Sequence, residues 1–201
     1  GVMTARFDPA TAVLPLPNNL LSQGSRDLTV NAPVANPNNF GDPTVALNAQ
    51  DGFSTVAPWS MTFSAAIAPA SLRPGQSVRF FEVAIVTSGP ATGAVQRVVR
   101  ELASPAEWVP AISTADATGR TLAIVPTRPL EELKSYMAVV TSDVTDTAGN
   151  NATPDQTYFL AKRTSPLSQG TGTSCVSLDP LLPASSACAL EPLRQLTNSF
   201  E

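Results

Sequence analysis

The chain has 201 residues, with 12 Lys and Arg against 16 Asp and Glu, and a formal net charge of −4. Apolar residues make up 43% and charged residues 14%, enough apolar material for a folded core and too little charge for a disordered chain. The cations are scattered rather than gathered on one face, which argues against a nucleic-acid binder and against electrostatic docking on anionic lipid.

Histidine is absent altogether. Neither a Ser-His-Asp triad nor a Cys-His pair can be assembled from this chain, because both need an imidazole to carry the proton. Two cysteines cannot make a structural zinc site unaided. No cofactor is expected, and no apolar run approaches the ~18 residues of a membrane-spanning helix. With 19 Pro and 11 Gly, the chain should break into short elements rather than long helices.

Residues 1–7 carry no basic segment followed by an apolar stretch, so no signal peptide opens the sequence. A start without Met fits a chain whose signal has been removed, or one cut at a chosen boundary. Residues 1–58 read as an irregular extension packing on a β-rich body that begins at residue 59. Phe7-Asp8-Pro9, Leu14-Pro15-Leu16-Pro17-Asn18-Asn19 and Asn36-Pro37-Asn38-Asn39 are turn chemistry. Leu28-Thr29-Val30 reads as a short strand. Asp42-Pro43 before Thr44-Val45-Ala46-Leu47-Asn48 reads as an N-cap, a first-turn proline and a brief helix that Asp51-Gly52 stops.

From residue 59 the apolar period becomes two. Trp59, Met61 and Phe63 alternate with Ser60, Thr62 and Ser64, which predicts a strand with one buried face. Further strands are predicted at 78–86, 108–112, 122–125, 136–141 and 157–161, separated by Pro74-Gly75, Ser88-Gly89-Pro90, Thr118-Gly119 and Ala148-Gly149-Asn150. Val95, Val98, Val99 and Leu102 also fit a helical stripe, but their β-branching and setting favour a strand. The expected fold is mostly β: an immunoglobulin-like antiparallel sandwich over residues 59–163. Tyr136 has two readings of equal weight, a half-buried strand aromatic or a tyrosine whose hydroxyl returns to the preceding corner. Asp143, Asp146 and Asn150 offer oxygens, but the segment lacks the acidic density of a calcium loop and a plain turn is favoured.

Residues 164–201 read as a linker, a disulfide loop and the start of a short helix. Cys175 and Cys188 sit in a Gly-, Ser- and Pro-rich stretch. Buried free thiols would suit an apolar strand, and a redox pair would favour CxxC spacing. A structural disulfide is favoured, and with it an oxidising compartment. Leu193, Leu196 and Phe200 follow an i, i+3, i+7 stripe, with Pro192 read as the first turn. The end at Glu201 lacks a Gly cap or a basic last turn, so the natural chain is expected to continue.

Together, Arg6-Phe7-Asp8-Pro9, Leu14 to Asn18, Asp51-Gly52-Phe53-Ser54-Thr55, Thr121 to Leu130 and Cys188 to Leu196 resemble the N-terminal region of bacterial virulence-factor and extracellular lipases, the group that includes surface-exposed lysophospholipases. Residues 63–159 are similar to the immunoglobulin-like module of S-layer proteins, most visibly from Tyr136 through Val144-Thr145-Asp146-Thr147-Ala148-Gly149-Asn150. The resemblance implies a partner, the C-terminal α/β-hydrolase domain of the parent chain, whose G-x-S-x-G elbow is missing here. It also implies an exported protein at the extracellular or outer-membrane surface of a Gram-negative-type bacterium.

Three readings remain open. The first is a non-catalytic accessory domain of an exported lipase or lysophospholipase. The second is an immunoglobulin-like adhesion or binding module for host protein or glycan, and any lipid or cell-surface ligand is left open. The third is an enzyme working through carboxylates alone. Phe40, Asp51, Phe53, Leu193, Leu196 and Phe200 are the candidate interdomain contacts, against the alternative that the first three simply pack on the sandwich.

Overall fold

The computed structural model describes residues 1–199 apart from Arg26, Pro90 and Ala91, together with the backbone of Phe200. In chain order its strands and helices are β1 (Met3–Ala5), α1 (Pro43–Leu47), β2 (Trp59–Thr62), β3 (Val78–Ile85), β4 (Val95–Glu101), β5 (Trp108–Ile112), β6 (Thr121–Pro126), β7 (Ser135–Val140), β8 (Ala152–Pro154), α2 (Gln156–Ala161), β9 (Ser168–Gln169), β10 (Val176–Ser177) and α3 (Ala184–Phe200).

The protein is mostly β, with two three-stranded antiparallel sheets packed as a sandwich. One sheet has the order β2-β6-β5 and the other β4-β3-β7. Alternation explains how they meet. Val78 and Phe80 of β3 enter the core between the sheets, as do Leu122 and Ile124 of β6 and Trp108 of β5. Phe80 is the hub: its ring meets Trp59 edge-on at 4.9 Å, Trp108 at 5.9 Å and Tyr136 at 5.8 Å. The indole Nε1 of Trp108 donates to the Leu102 carbonyl at 3.0 Å, so the one polar atom of that buried ring is satisfied. Phe63 is fully buried, with Trp59 and Met61 packed against the same core.

The strands expected at 78–86, 95–102, 108–112, 122–125 and 136–141 are present as β3 to β7, so the helical reading of Val95 to Leu102 fails. Shifts in register between Glu82 and Val83, and between Ala84 and Ile85, bend the β3–β4 pair.

The lead-in is tied into the sandwich at its start. Met3–Ala5 pairs in parallel with β8, and Met3 is a fully buried core residue. Leu28 to Val30 is no strand: Leu28 takes a left-handed φ of 67°, which breaks an extended ladder. Val30 is buried, its N–H bonded to the Gln50 carbonyl. The brief helix forms as expected, with the Asp42 carboxylate accepting from the Thr44 N–H at 2.8 Å and Pro43 in the first turn.

Two differences lie at the C-terminal end. Residues 157–161, expected as a strand, are in α2, because the Asp155 carboxylate accepts from the Thr157 N–H at 2.9 Å and starts a helix after Pro154. The final helix is 17 residues long and begins at Ala184, with Pro192 inside it rather than in its first turn. A long helix was not expected from the proline content. Pro192 has no N–H to offer the Cys188 carbonyl, and the helix continues because its sides are held from elsewhere.

Candidate functional site

Charged side chains gather at one end of the sandwich. Glu82 continues the inward-facing series Val78, Phe80 on β3, and Tyr136 and Arg100 lie opposite it on β7 and β4. Arg100 donates through Nε to Glu82 at 2.9 Å and through Nη1 to both Glu107 oxygens at 3.0 and 2.9 Å. Arg128, just beyond β6, binds Glu107 as well, and Lys134 Nζ lies 3.1 Å from Glu82. The Glu82 and Glu107 side chains are each only 8% exposed. Burial of two carboxylates is tolerable here because three cations and the Ala103 N–H, at 2.7 Å, surround them.

Beside this network lies a cleft of about 200 Å³, lined by Arg100, Leu102, Glu107, Arg128, Leu130 and Tyr136 among others. The Arg100 guanidinium, outweighing burial, holds Glu107 down to about 2. Lys134 foremost, with Arg100, lowers Glu82 from its ordinary value against the opposing effect of burial. Held at about 2, Glu107 stays ionised at neutral pH and anchors Arg100 and Arg128 as an ion pair. Tyr136 settles its two readings: its hydroxyl does return to the preceding corner, bonding the Glu131 backbone.

Asp146 is a closed turn. One carboxylate oxygen accepts from the Ala148 and Asn150 N–H groups at 2.9 and 2.8 Å, and the other from Asn150 Nδ2 at 2.8 Å. Asp143 is turned outward, 4.0 Å from Arg73. Among the described residues no group of three or more acidic, His or Cys side chains is placed to hold a metal.

Cys175 and Cys188 form a disulfide with Cα atoms 6.2 Å apart. It joins the start of the β10 arm to α3. Residues 164–183 are largely exposed but anchored at two points: Leu167 and Ser168 are buried, and β9 pairs antiparallel with β10. Leu160, Leu167 and Ala187, with Leu182 and Leu190 against them, form a second, small apolar cluster.

The face of α3 that meets the chain is apolar at Ala187 and Leu190 and turns polar beyond them. Glu191 and Arg194 are buried and pair at 2.7 Å. Glu191 accepts from the Leu167 N–H at 2.8 Å, while Arg194 donates to the carbonyls of Arg163 and Thr164 at 3.1 and 3.2 Å. Asn198 Nδ2 donates to the carbonyls of Ala161 and Arg163 at 3.1 and 3.2 Å, which caps the end of α2. The Arg194 side chain, against the opposing effect of burial, holds Glu191 down to about 2.

The six candidate contact residues fall in two places. Phe40 is 85% exposed and Phe53 40% exposed, with Asp51 also exposed. Phe40 sits in an excursion closed at its base by the Val30–Gln50 backbone bond and by Asn48, which bonds Ala32 through both side-chain atoms at 2.8 Å. Leu193 and Leu196 are half-buried on α3, and the Phe200 side chain lies outside the described residues. Local packing on the sandwich therefore does not account for Phe40.

Sequence reasoning missed both polar sets. A lone Glu82 inside Phe80-Phe81-Glu82-Val83 was a signal, since an inward carboxylate in a β-run demands partners. Glu191 and Arg194 at i, i+3 were another.

A family model described as bacterial virulence factor lipase N-terminal matches residues 9–175. No curated protein matches, and no solved structure does.

Proposed function

The chain belongs to the bacterial virulence factor lipase N-terminal family, and from that we propose that it is the non-catalytic accessory domain of an exported bacterial lipase or lysophospholipase. The observation that carries the reading is the family match over residues 9–175. The composition supports it, because a chain without histidine cannot build the serine triad that a lipase uses. In this reading the parent hydrolyses lipid esters with a serine in a separate α/β-hydrolase domain. The present domain is an immunoglobulin-like sandwich that holds that domain at the extracellular or outer-membrane surface. The Cys175–Cys188 bridge supports an oxidising, exported setting.

Phe40, Asp51 and Phe53, with Leu193, Leu196 and Phe200 on α3, are the residues assigned to the contact with the catalytic domain. A Phe that is 85% exposed has no role in this domain's own core.

The test compares the purified domain with the full-length parent on a p-nitrophenyl ester and on lysophospholipid. The expected result is turnover by the full chain alone. In the full chain, Phe40→Ser together with Phe53→Ser should lower turnover while leaving the sandwich folded. Turnover by the isolated domain that is lost on replacing its carboxylates would overturn the proposal. A parent without esterase activity would favour the adhesion-module reading instead.

A further inference from the structure

We propose that the Cys175–Cys188 cystine is the latch of a separately opening unit, made of the β9–β10 hairpin and α3, which a dithiol releases while the sandwich stays folded.

Among the described residues the protein has two apolar clusters of unequal weight. The sandwich core holds twelve buried residues, including Trp108, Phe80 and Phe63. The cluster beneath α3 holds three, Leu160, Leu167 and Ala187. So small a cluster cannot by itself order the forty residues that follow α2. What remains is chiefly the polar bracket of Glu191, Arg194 and Asn198 on the backbone of residues 161–167, with the Arg163–Asp179 ion pair at 2.6 Å and a contact of α3 with residues 19–22 beside it. Water competes well for those carbonyls and N–H groups, so the bracket adds little unless the helix is already held close. The cystine supplies that closeness. Cys188 lies three residues before Glu191 on the same side of α3, and Cys175 lies next to β10. With the bond closed, the bracket forms within a short loop. With it open, α3 must find its place from a much larger ensemble.

α2 is anchored on the other side and need not leave with α3. The Asp155 N–H bonds the Ala5 carbonyl, and the Tyr158 ring lies 5.2 Å from Phe7. The line of opening therefore runs through residues 161–167. Both cysteines are half-buried and within reach of a reductant. In the reaction, a dithiol gives two electrons and two protons to the cystine. Its own sulfurs join as a disulfide, and Cys175 and Cys188 leave as thiols. The inference rests on this domain's geometry alone and stands apart from the lipase reading.

Hydrogen exchange read by mass spectrometry tests it, on the protein before and after dithiothreitol and on Cys175→Ser/Cys188→Ser. Protection over 163–169 and 184–199 should fall at least about tenfold, with β3, β5, β6 and β7 unchanged. Reduction of folded wild type keeps the test decisive even where the double Ser variant folds poorly. Arg194→Ala, left oxidised, should lose protection at 161–167 yet keep it in α3. Unchanged protection after reduction would overturn the proposal. So would loss of protection in the sandwich strands as well, which would make the protein one cooperative unit. Release of α3 by Arg194→Ala with the cystine intact would also overturn it, since the bracket would then be the latch.

Discussion

The Tyr136 hydroxyl accepts a hydrogen bond from the Glu131 N–H at 3.0 Å and donates one to the Glu131 carbonyl at 3.4 Å, clamping the corner between β6 and β7. The ring itself packs on Phe80 in the core. Burial raises the Tyr136 hydroxyl above its ordinary range, so it stays protonated and able to donate. Tyr136→Phe keeps the ring and removes only the clamp. It should cost about 1 kcal/mol, the usual net worth of one hydrogen bond. Urea unfolding checks this, with a lower midpoint and an unchanged slope; an unchanged midpoint would assign the clamp no net value.

Glu107 makes the sandwich sensitive to acid. Its carboxyl lies at about 2 rather than the ordinary 4.5, chiefly through the Arg100 bond. A depressed folded value means the stabilisation is fully present above the ordinary value and is lost as pH falls from 4.5 towards 2. Urea midpoints should be level from neutral pH down to about 5 and fall steeply below it. Glu107→Gln should flatten that fall. At neutral pH it should cost about 1–3 kcal/mol, because charged hydrogen bonds are lost. The cost stays below that of breaking a fully buried pair, since Arg100 and Arg128 are 38% and 61% exposed and can be hydrated. A Glu107→Gln variant with the wild-type acid profile would locate the sensitivity elsewhere, with Glu191 the next candidate.

The strands of the sandwich were legible because burial writes itself at a period of two. Trp59, Met61 and Phe63 announce their face before any contact is known, and the β-branched and aromatic run at 78–86 marks its strand without fixing a face. The helix α2 was not, because Tyr158-Phe159-Leu160 is an aromatic and apolar run that suits a strand equally well. The deciding atom was the Asp155 carboxylate, a local cap that outweighs propensity in so short a segment. The start of α3 was hidden because Pro192 reads as a first-turn residue, whereas here an interior proline is tolerated with its neighbours pinned. The charged cleft was illegible for a different reason. Arg100 reaches Glu82 across 18 positions, and Arg128 reaches Glu107 across 21, so strand register alone makes them neighbours. Phe40 stands out in the sequence, but its exposure follows from the closure of the 30–50 excursion.

Gly170 opens the connection that folds back from β9 to β10. Its φ is +80°, a region that L side chains rarely adopt, and a Cβ there would lie 2.5 Å from the Ser174 carbonyl oxygen. That oxygen belongs to the backbone and cannot swing aside. Gly170→Ala should destabilise the β9–β10 hairpin by about 1–3 kcal/mol, the range for backbone strain at one residue. Because the strain sits beside Cys175, the variant should also speed reduction of the disulfide by dithiothreitol. Thiol labelling over time measures this; a rate equal to wild type would mean that the connection relaxes without loosening the arm.

Thr197 carries a polar atom in the wrong surroundings. The residue is 7% exposed on α3, and its Oγ1 has no hydrogen-bond partner among the described residues. One and two turns earlier, every polar atom named on Arg194 and Glu191 is engaged, so the orphan stands out against a satisfied face. A buried hydroxyl left unpaired costs about 1–3 kcal/mol in proteins. Thr197→Val replaces it with a methyl of nearly the same shape and a similar helix propensity. The variant should be more stable than wild type by about 0.5–1.5 kcal/mol, the gain reduced by imperfect packing of the new methyl. Thermal unfolding at neutral pH, with the cystine intact, should show the higher midpoint. A lower midpoint would show that the hydroxyl has a partner worth more than its burial costs, and would make Thr197 part of the bracket rather than a flaw beside it.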